Sequence, residues 1–424
     1  MNDKTRKYLA ILALGVSGAS IYLLPFIKYV FYDQQIEAMG ITNAQSGFLL
    51  TMYAMGNIFL YIPGGILADK LSPKRCLLFS LLSTTVLTIV YGFTLSYKTA
   101  LVIWFLLSIT TVLVFWSALL KAVRIIGSEK EQGTMFGIYY AVNGITGAIF
   151  NAIALWSTRL TSNAQGAMFN VTMIYAVATT LAAVLVFLFL KKDSDVKVET
   201  SENEKFQFKD VAHLLKNPYV WIFSLVVFCG YSLFSSTSYF TPYLTDVVGV
   251  SPISSGIYSI IRNYLFMLLA PISGYIADRG FKSTSKWLII TLSILVVLFI
   301  GVLVIPSGAN ATMISIYTLL PGAFGLASYS IVFSLIGETK IPAKVTGTVI
   351  GLASVIGYSP DLFMSTMFGS WLDKLGKNGY TYIFLYLAAT CVVGIVCAYL
   401  IRRHSVNING LGENNKQTNT VINN

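Results

Sequence analysis

Four cations and one acid lie inside long apolar runs, where charge is expensive: Lys28, Lys121, Arg124, Arg262 and Asp361. Ionisable groups within a bilayer face a cavity or a partner, so each is a candidate for function. Arg262, in Ser259-Ile260-Ile261-Arg262-Asn263-Tyr264, stands about nine residues into its run, ~13 Å deep at ~1.5 Å per residue. Snorkelling to either surface is difficult from that depth. A guanidinium stays charged and presents paired donors in one plane, which suits a carboxylate, phosphate or sulfonate. The competing role is an arginine paired with a helix neighbour to fix packing. Asn263 and Tyr264 add polar groups beside it and join it as candidate ligands.

The other charges leave alternatives open. Lys121 and Arg124 are three apart and share a helix face, turned either to a cargo or to headgroups at the inner interface. Lys28 follows Pro25; it is buried if its run continues past Tyr32 and interfacial if the run stops near Val30. Asp361, in Ile356-Gly357-Tyr358-Ser359-Pro360-Asp361-Leu362, lies close to the depth of Arg262. It is either a proton-carrying carboxylate used in coupling or the fixed ion-pair partner of Arg262 or Lys28. Pro360 predicts a bend. Four buried or semi-buried cations against one deep carboxylate point to an anionic cargo.

The elements that must position these groups are legible in composition. Apolar residues make up 55% of the 424 and charged ones 11%, with a mean hydropathy of +0.71. Soluble chains carry about 25% charged residues, so lipid is the main solvent. Spans are predicted at 8–34, 45–68, 76–97, 99–126, 133–158 and 166–190, then 218–244, 252–277, 286–306, 311–336, 345–371 and 380–402. Residues 1–190 and 218–404 are thus two six-span halves, 191–217 a polar central loop and 405–424 an Asn-rich, disordered tail. The stretch 206–216 has helical apolar spacing suited to the membrane surface. Asn217-Pro218 starts the seventh span.

Charge placement sets the orientation. With both termini cytoplasmic, 21 of the 29 Lys and Arg residues fall on that side and four on the other. That bias accounts for most of the net charge of +11 without any nucleic acid. Cys76, Cys229, Cys391 and Cys397 form no Cys-x-x-Cys pair, which indicates neither a disulfide framework nor a metal site. Phosphate-binding Gly-rich loops, Gly-x-Ser-x-Gly elbows and His-Glu-x-x-His are all lacking, so the chain reads as no enzyme, with no cofactor.

One motif occurs twice. Pro63-Gly64-Gly65-Ile66-Leu67-Ala68-Asp69-Lys70, running on to Arg75, follows the second span, and Ile272-Ser273-Gly274-Tyr275-Ile276-Ala277-Asp278-Arg279 follows the eighth. Gly65 to Gly274 and Asp69 to Asp278 are both 209 positions apart, close to half the chain, the mark of an internal duplication. Here the sequence resembles the major facilitator superfamily, whose loop between helices 2 and 3 has this form, with a weaker copy between helices 8 and 9. The resemblance implies an all-α membrane protein of twelve transmembrane helices in two pseudo-symmetric six-helix bundles. It also assigns Gly65, Asp69, Arg75, Gly274 and Asp278 to gating, glycine allowing close helix packing and Asp69 pairing across the cytoplasmic face.

Span 4 narrows the resemblance. Trp116, then Lys121 five positions on, then Ser128-Glu129-Lys130-Glu131-Gln132-Gly133, looks like the organophosphate and sugar-phosphate exchanger branch. Oxalate/formate exchangers place an arginine in span 8, as Arg262 is placed here. The pattern departs elsewhere: the arginines of that branch in spans 1 and 7 are replaced by Lys28, out of register, and by Ser232, Ser235, Ser236, Thr237 and Ser238. The basic residue of oxalate exchangers in span 11 has no match.

The expectation is a monomeric secondary transporter in the cell's inner membrane. It moves a small organic anion (a carboxylate, sugar acid, phosphate ester or sulfonate) by alternating access, with H⁺, Na⁺ or a counter-anion as coupling partner. One alternative is proton-coupled multidrug efflux, although residues 133–160 contain Gly137, Gly144 and Gly147 and no proline. The other is a membrane sensor that keeps the fold without transport.

Overall fold

A computed structural model describes residues 3–126, 132–190, 216–306, 308–339, 341 and 346–422, without the side chains of 3–4, 61–62, 64–70, 124–125, 132–134, 346–348 and 409–422. Among them every regular element is helical. The first half holds α1 (Asp3–Ile21), α2 (Tyr32–Met39), α3 (Asn43–Lys70), α4 (Pro73–Thr94), α5 (Tyr97–Ser108), α6 (Ser117–Ile126), α7 (Gln132–Ser157) and α8 (Ala164–Phe189). The second holds α9 (Pro218–Ser236), α10 (Phe240–Asp246), α11 (Pro252–Asn263), α12 (Ala270–Tyr275), α13 (Thr284–Leu303) and α14 (Ala311–Tyr317). It continues with α15 (Leu319–Tyr329), α16 (Thr346–Gly357), α17 (Met364–Leu375) and α18 (Gly379–Ile422).

Nine stretches of the described residues are long and apolar enough to cross a bilayer. The last, Val349–Ile408, contains both α17 and much of α18, whereas α1 and α3 fall outside the nine. Several helices start as the sequence dictates, with a polar cap followed by proline. Ser72, Asn217 and Ser251 accept from Arg75, Tyr219 and Ser254 backbone N–H groups, ahead of Pro73, Pro218 and Pro252. Phe93, Phe187 and Val297 are exposed, which in water is a liability and in lipid is contact with acyl chains.

The spans are more broken than their hydropathy suggests. Span 1 is not one helix over 8–34: α1 ends at Ile21, a 3₁₀ turn covers Ile27–Tyr29, and α2 follows. Pro25 sits in the break, where it lacks an N–H and crowds the preceding turn. Between α5 and α6 the chain is π-helical over Ile109–Trp116, a geometry that collects at functional sites. Span 8 is interrupted after α11 by a 3₁₀ segment, Leu265–Leu269. The bend expected at Pro360 is present as a 3₁₀ turn over Ser359–Leu362. Where a disordered tail is expected after Ser405, the backbone stays helical to Ile422, no proline interrupting it. The proposed surface helix at 206–216 falls outside the described residues but for Lys216.

Within each half, long helices pack side by side: α4 on α8 and α1 on α7, then α13 on α18 and α9 on α16. Two seams join the halves, α3 against α17 and α7 against α11. The buried side chains form four clusters, mostly two per half. Members cross over: Ile260 packs into a first-half cluster and Tyr32 into a second-half one.

Candidate functional site

Arg262 lies in the last turn of α11 and is 1% exposed. Its Nη1 donates to Thr318 Oγ1 at 3.3 Å and its Nη2 to Thr241 Oγ1 at 3.1 Å, while the guanidinium lies 5.6 Å from the Phe240 ring centroid. Nε has no partner. The expected ion pair with Asp361 does not form, and no carboxylate among the described residues takes its place. Gly322 of α15 makes room, since a Cβ there would overlap the arginine's Cγ. Thr241 relays the contact onward, donating to the Tyr29 carbonyl at 3.0 Å, and Ser259 donates to the same oxygen. Tyr29 belongs to the first half, so the guanidinium is tied into a polar junction between halves.

One residue from Tyr29 stands Lys28, 3% exposed despite the break in span 1. Its ammonium donates to Tyr239 Oη at 3.4 Å and lies 5.3 and 5.1 Å from the Tyr32 and Tyr239 ring centroids. It interacts electrostatically with Asp361. Asp361 Oδ2 instead accepts a 2.5 Å hydrogen bond from Tyr231 Oη.

Asp361 lines a cavity of about 180 Å³ between the halves. Tyr22, Phe26, Tyr53, Ala54, Asn57, Ile58, Val112 and Trp116 come from the first half, and Tyr231, Tyr329 and Tyr358 join Asp361 from the second. Ring planes meet at steep angles: Tyr231 and Tyr358 are 4.8 Å apart at 88°, Phe26 and Tyr53 5.9 Å apart at 81°. A cavity walled by both helical halves at their meeting is the architecture in which a transporter of two repeats holds its cargo.

Comparison with known proteins agrees with that architecture. The family model described as Major Facilitator Superfamily matches residues 8–363. The chain belongs to the major facilitator superfamily. It is 26% identical over 403 residues to the inner membrane protein YqcE of Escherichia coli K12, covering 94% of this chain and 95% of that one. To the glycerol-3-phosphate transporter of Bacillus subtilis 168 it is 22% identical over 415 residues, covering 91% and 90%. A solved bacterial homologue of the human lysosomal transporter Spinster, inward-facing and occupied, superposes with a TM-score of 0.70 at 15% identity, covering 94% and 96%.

In this superfamily member the remaining sequence candidates disperse. Asn263 turns back to Ser259, donating to its carbonyl and hydroxyl at 3.0 Å each. Tyr264 packs on Gly144 and Gly147 of α7, where any Cβ would strike it. Lys121 is half-buried on α6, with interactions of its own; the side chain of Arg124 lies outside the described residues. Asn263, Tyr264 and Lys121 do not line the cavity, and neither do Arg262 and Lys28. The gating candidates are split likewise. Arg75 and Asp278 are exposed, and a Cβ on Gly274 would meet open space, so no neighbouring helix packs on it in this conformation. Gly65 and the Asp69 side chain lie outside the described residues.

What sequence reasoning missed is the aromatic lining and the seam beside it. Along α3 and α17 the backbones touch: a Cβ on Gly47 would collide with Ser365, and one on Gly369 with Asn43. Thr51 and Thr366 pair their hydroxyls at 3.0 Å, and Tyr32 Oη donates to Asn43 Oδ1 at 2.8 Å. Glycines and small hydroxyl residues three or four apart in spans 2 and 11 were the available signal.

Proposed function

We propose that this transporter moves a small organic anion across the inner membrane by alternating access, with Arg262 as its principal anion ligand and Lys28 as a second cation near the path. The observation that carries the reading is a fully buried guanidinium with no carboxylate among its described partners and an unsatisfied Nε. Burying an unpaired charge costs several kcal/mol. Its two hydroxyl partners and the Phe240 ring are neutral and leave the guanidinium without a counter-charge, which an anion supplies. The name of the Bacillus subtilis relative, a glycerol-3-phosphate transporter, accords with an anionic cargo. Asp361 is the coupling candidate, with H⁺, Na⁺ or a counter-anion as its partner. The protein works as a monomer with both termini cytoplasmic, and Gly65, Asp69, Arg75, Gly274 and Asp278 belong to its cytoplasmic gate.

Purified protein screened by thermal shift against carboxylates, phosphate esters and sulfonates should be stabilised by the cargo through mass action. Counterflow of that anion in proteoliposomes then separates a transporter from a sensor, which binds without exchange. Arg262→Lys keeps the charge and loses the planar fork. It should weaken cargo binding about 10- to 150-fold, the worth of one charge-assisted hydrogen bond. Affinity within about twofold of the parent, beside a lowered melting temperature, would make Arg262 a packing residue.

A further inference from the structure

The central cavity is built from groups that accept hydrogen bonds and attract positive charge, which an anion alone does not explain. Of the described residues lining it, none is a lysine or arginine, and Asp361 is the charged member. Asp361 Oδ2 receives the Tyr231 proton, and among the described residues nothing donates to its other oxygen. Asn57, also on the wall, has a buried Oδ1 without a partner. The lining hydroxyls are largely engaged already. Tyr53 pairs with Thr111 at 2.8 Å, Tyr231 with Asp361, and Tyr329 with Tyr358 at 3.1 Å. Two acceptor oxygens, one on Asp361 and one on Asn57, are therefore left for a ligand.

Ring faces around a carboxylate change which ligand is complementary. Aromatic faces draw a cation within about 6 Å of the centroid, and rings set nearly at right angles, as Tyr231 with Tyr358 and Phe26 with Tyr53, can present faces from more than one side. Lys28, the cation that interacts with Asp361, is occupied between Tyr32 and Tyr239. At about 180 Å³ the cavity is smaller than the roughly 300–1,000 Å³ of sites for drug-sized ligands, so it takes a small group.

We propose that the cavity between Trp116, Tyr231, Tyr358 and Asp361 is an ammonium site: it holds a small, positively charged nitrogen group against Asp361, with Asn57 as a second acceptor. The ammonium belongs either to the cargo itself, making that cargo a zwitterion spanning from Asp361 toward Lys28, or to a separate organic cation carried alongside the anion. The site stands on the cavity's own chemistry and holds whether or not Arg262 contacts an anion.

The test uses the full-length protein in detergent, with tetramethylammonium and choline as probes and melting temperature and tryptophan fluorescence as readouts. Choline is compared with 3,3-dimethylbutan-1-ol, its uncharged isostere, at matched ionic strength. Saturable choline binding at least tenfold tighter than the isostere is expected, as is a tenfold loss on Asp361→Asn. Equal binding of choline and the isostere overturns the proposal, since only an apolar hole would then remain. So does the absence of saturable binding by either ammonium probe, or Asp361→Asn binding like the parent. Choline and tetramethylammonium carry no carboxylate, phosphate or sulfonate, so their failure to bind sinks this site and leaves the anion reading standing, whereas a failed anion screen beside saturable choline binding sinks only the anion reading. To locate the ammonium, γ-aminobutyrate is compared with butyrate plus tetramethylammonium. Tighter binding of the single molecule places the ammonium on the cargo, and additive binding of the pair places it on a companion cation.

Discussion

Asp373 of the second half caps the helix that starts at Asn43 of the first. Its carboxylate accepts from the Asn43 N–H at 2.9 Å, the Asn43 side-chain amide at 2.8 Å and the Ala44 N–H at 2.8 Å. A helix N-terminus has unpaired donors and favours negative charge, and here the acid comes from across the seam. The contact therefore exists only while α3 and α17 are closed at this end. Asp373→Ala should loosen that closure by about 0.5–2 kcal/mol, the usual worth of a cap. Spin labels on Thr42 and Lys374 should show the longer-distance population growing roughly 2- to 30-fold. An unchanged distance distribution assigns Asp373 to helix capping alone.

The same latch makes a statement about pH. Partial burial works against ionisation of Asp373, but the donors of Ala44 and Asn43 prevail and hold its carboxyl below the usual carboxylate range. A depressed folded value means the stabilisation is fully present above the ordinary ~3.9 and is lost as pH falls through the lower folded value. The Thr42–Lys374 distances should stay constant from pH 8 to about pH 5. A change inside that window would trace to a different group.

Gly47 makes the closest approach on that seam. A Cβ there would strike backbone atoms of Ser365 and Thr366, which cannot swing aside as a side chain can. Gly47→Ala should force α3 and α17 apart and cut turnover at least tenfold, with cargo affinity changed much less. Wild-type exchange rates in correctly inserted protein would show that the two helices never need this contact during the cycle.

Asp69 lies eleven residues beyond Ile58, the last cavity residue among the described side chains of α3, or ~16 Å along the helix. Asp69→Asn removes a charge from the proposed cytoplasmic gate without reaching the cavity, so it should lower turnover more than cargo affinity. Counterflow rates and thermal-shift affinities on one preparation check this. Unaltered turnover would leave the loop a topological role only.

Two levels of information separate in this molecule. The sequence by itself determined the membrane environment, the duplicated halves, the superfamily and the bend at Pro360, because hydropathy, proline chemistry and the 209-residue repeat act locally or along the chain. It also singled out Arg262 and Asp361 as charges deep in apolar runs, since charge there has few explanations, while Lys28 stayed open between a buried and an interfacial place until the fold buried it. Which partners those charges take was decided by tertiary structure alone. Arg262 and Asp361 share a depth along their spans, but depth says nothing of azimuth. Helix rotation and the breaks at Pro25 and after Asn263 give the guanidinium to Thr241 and Thr318 and the carboxylate to Tyr231. The aromatic cavity was illegible for the same reason, its rings coming from six spans whose sequences each read as ordinary apolar helix.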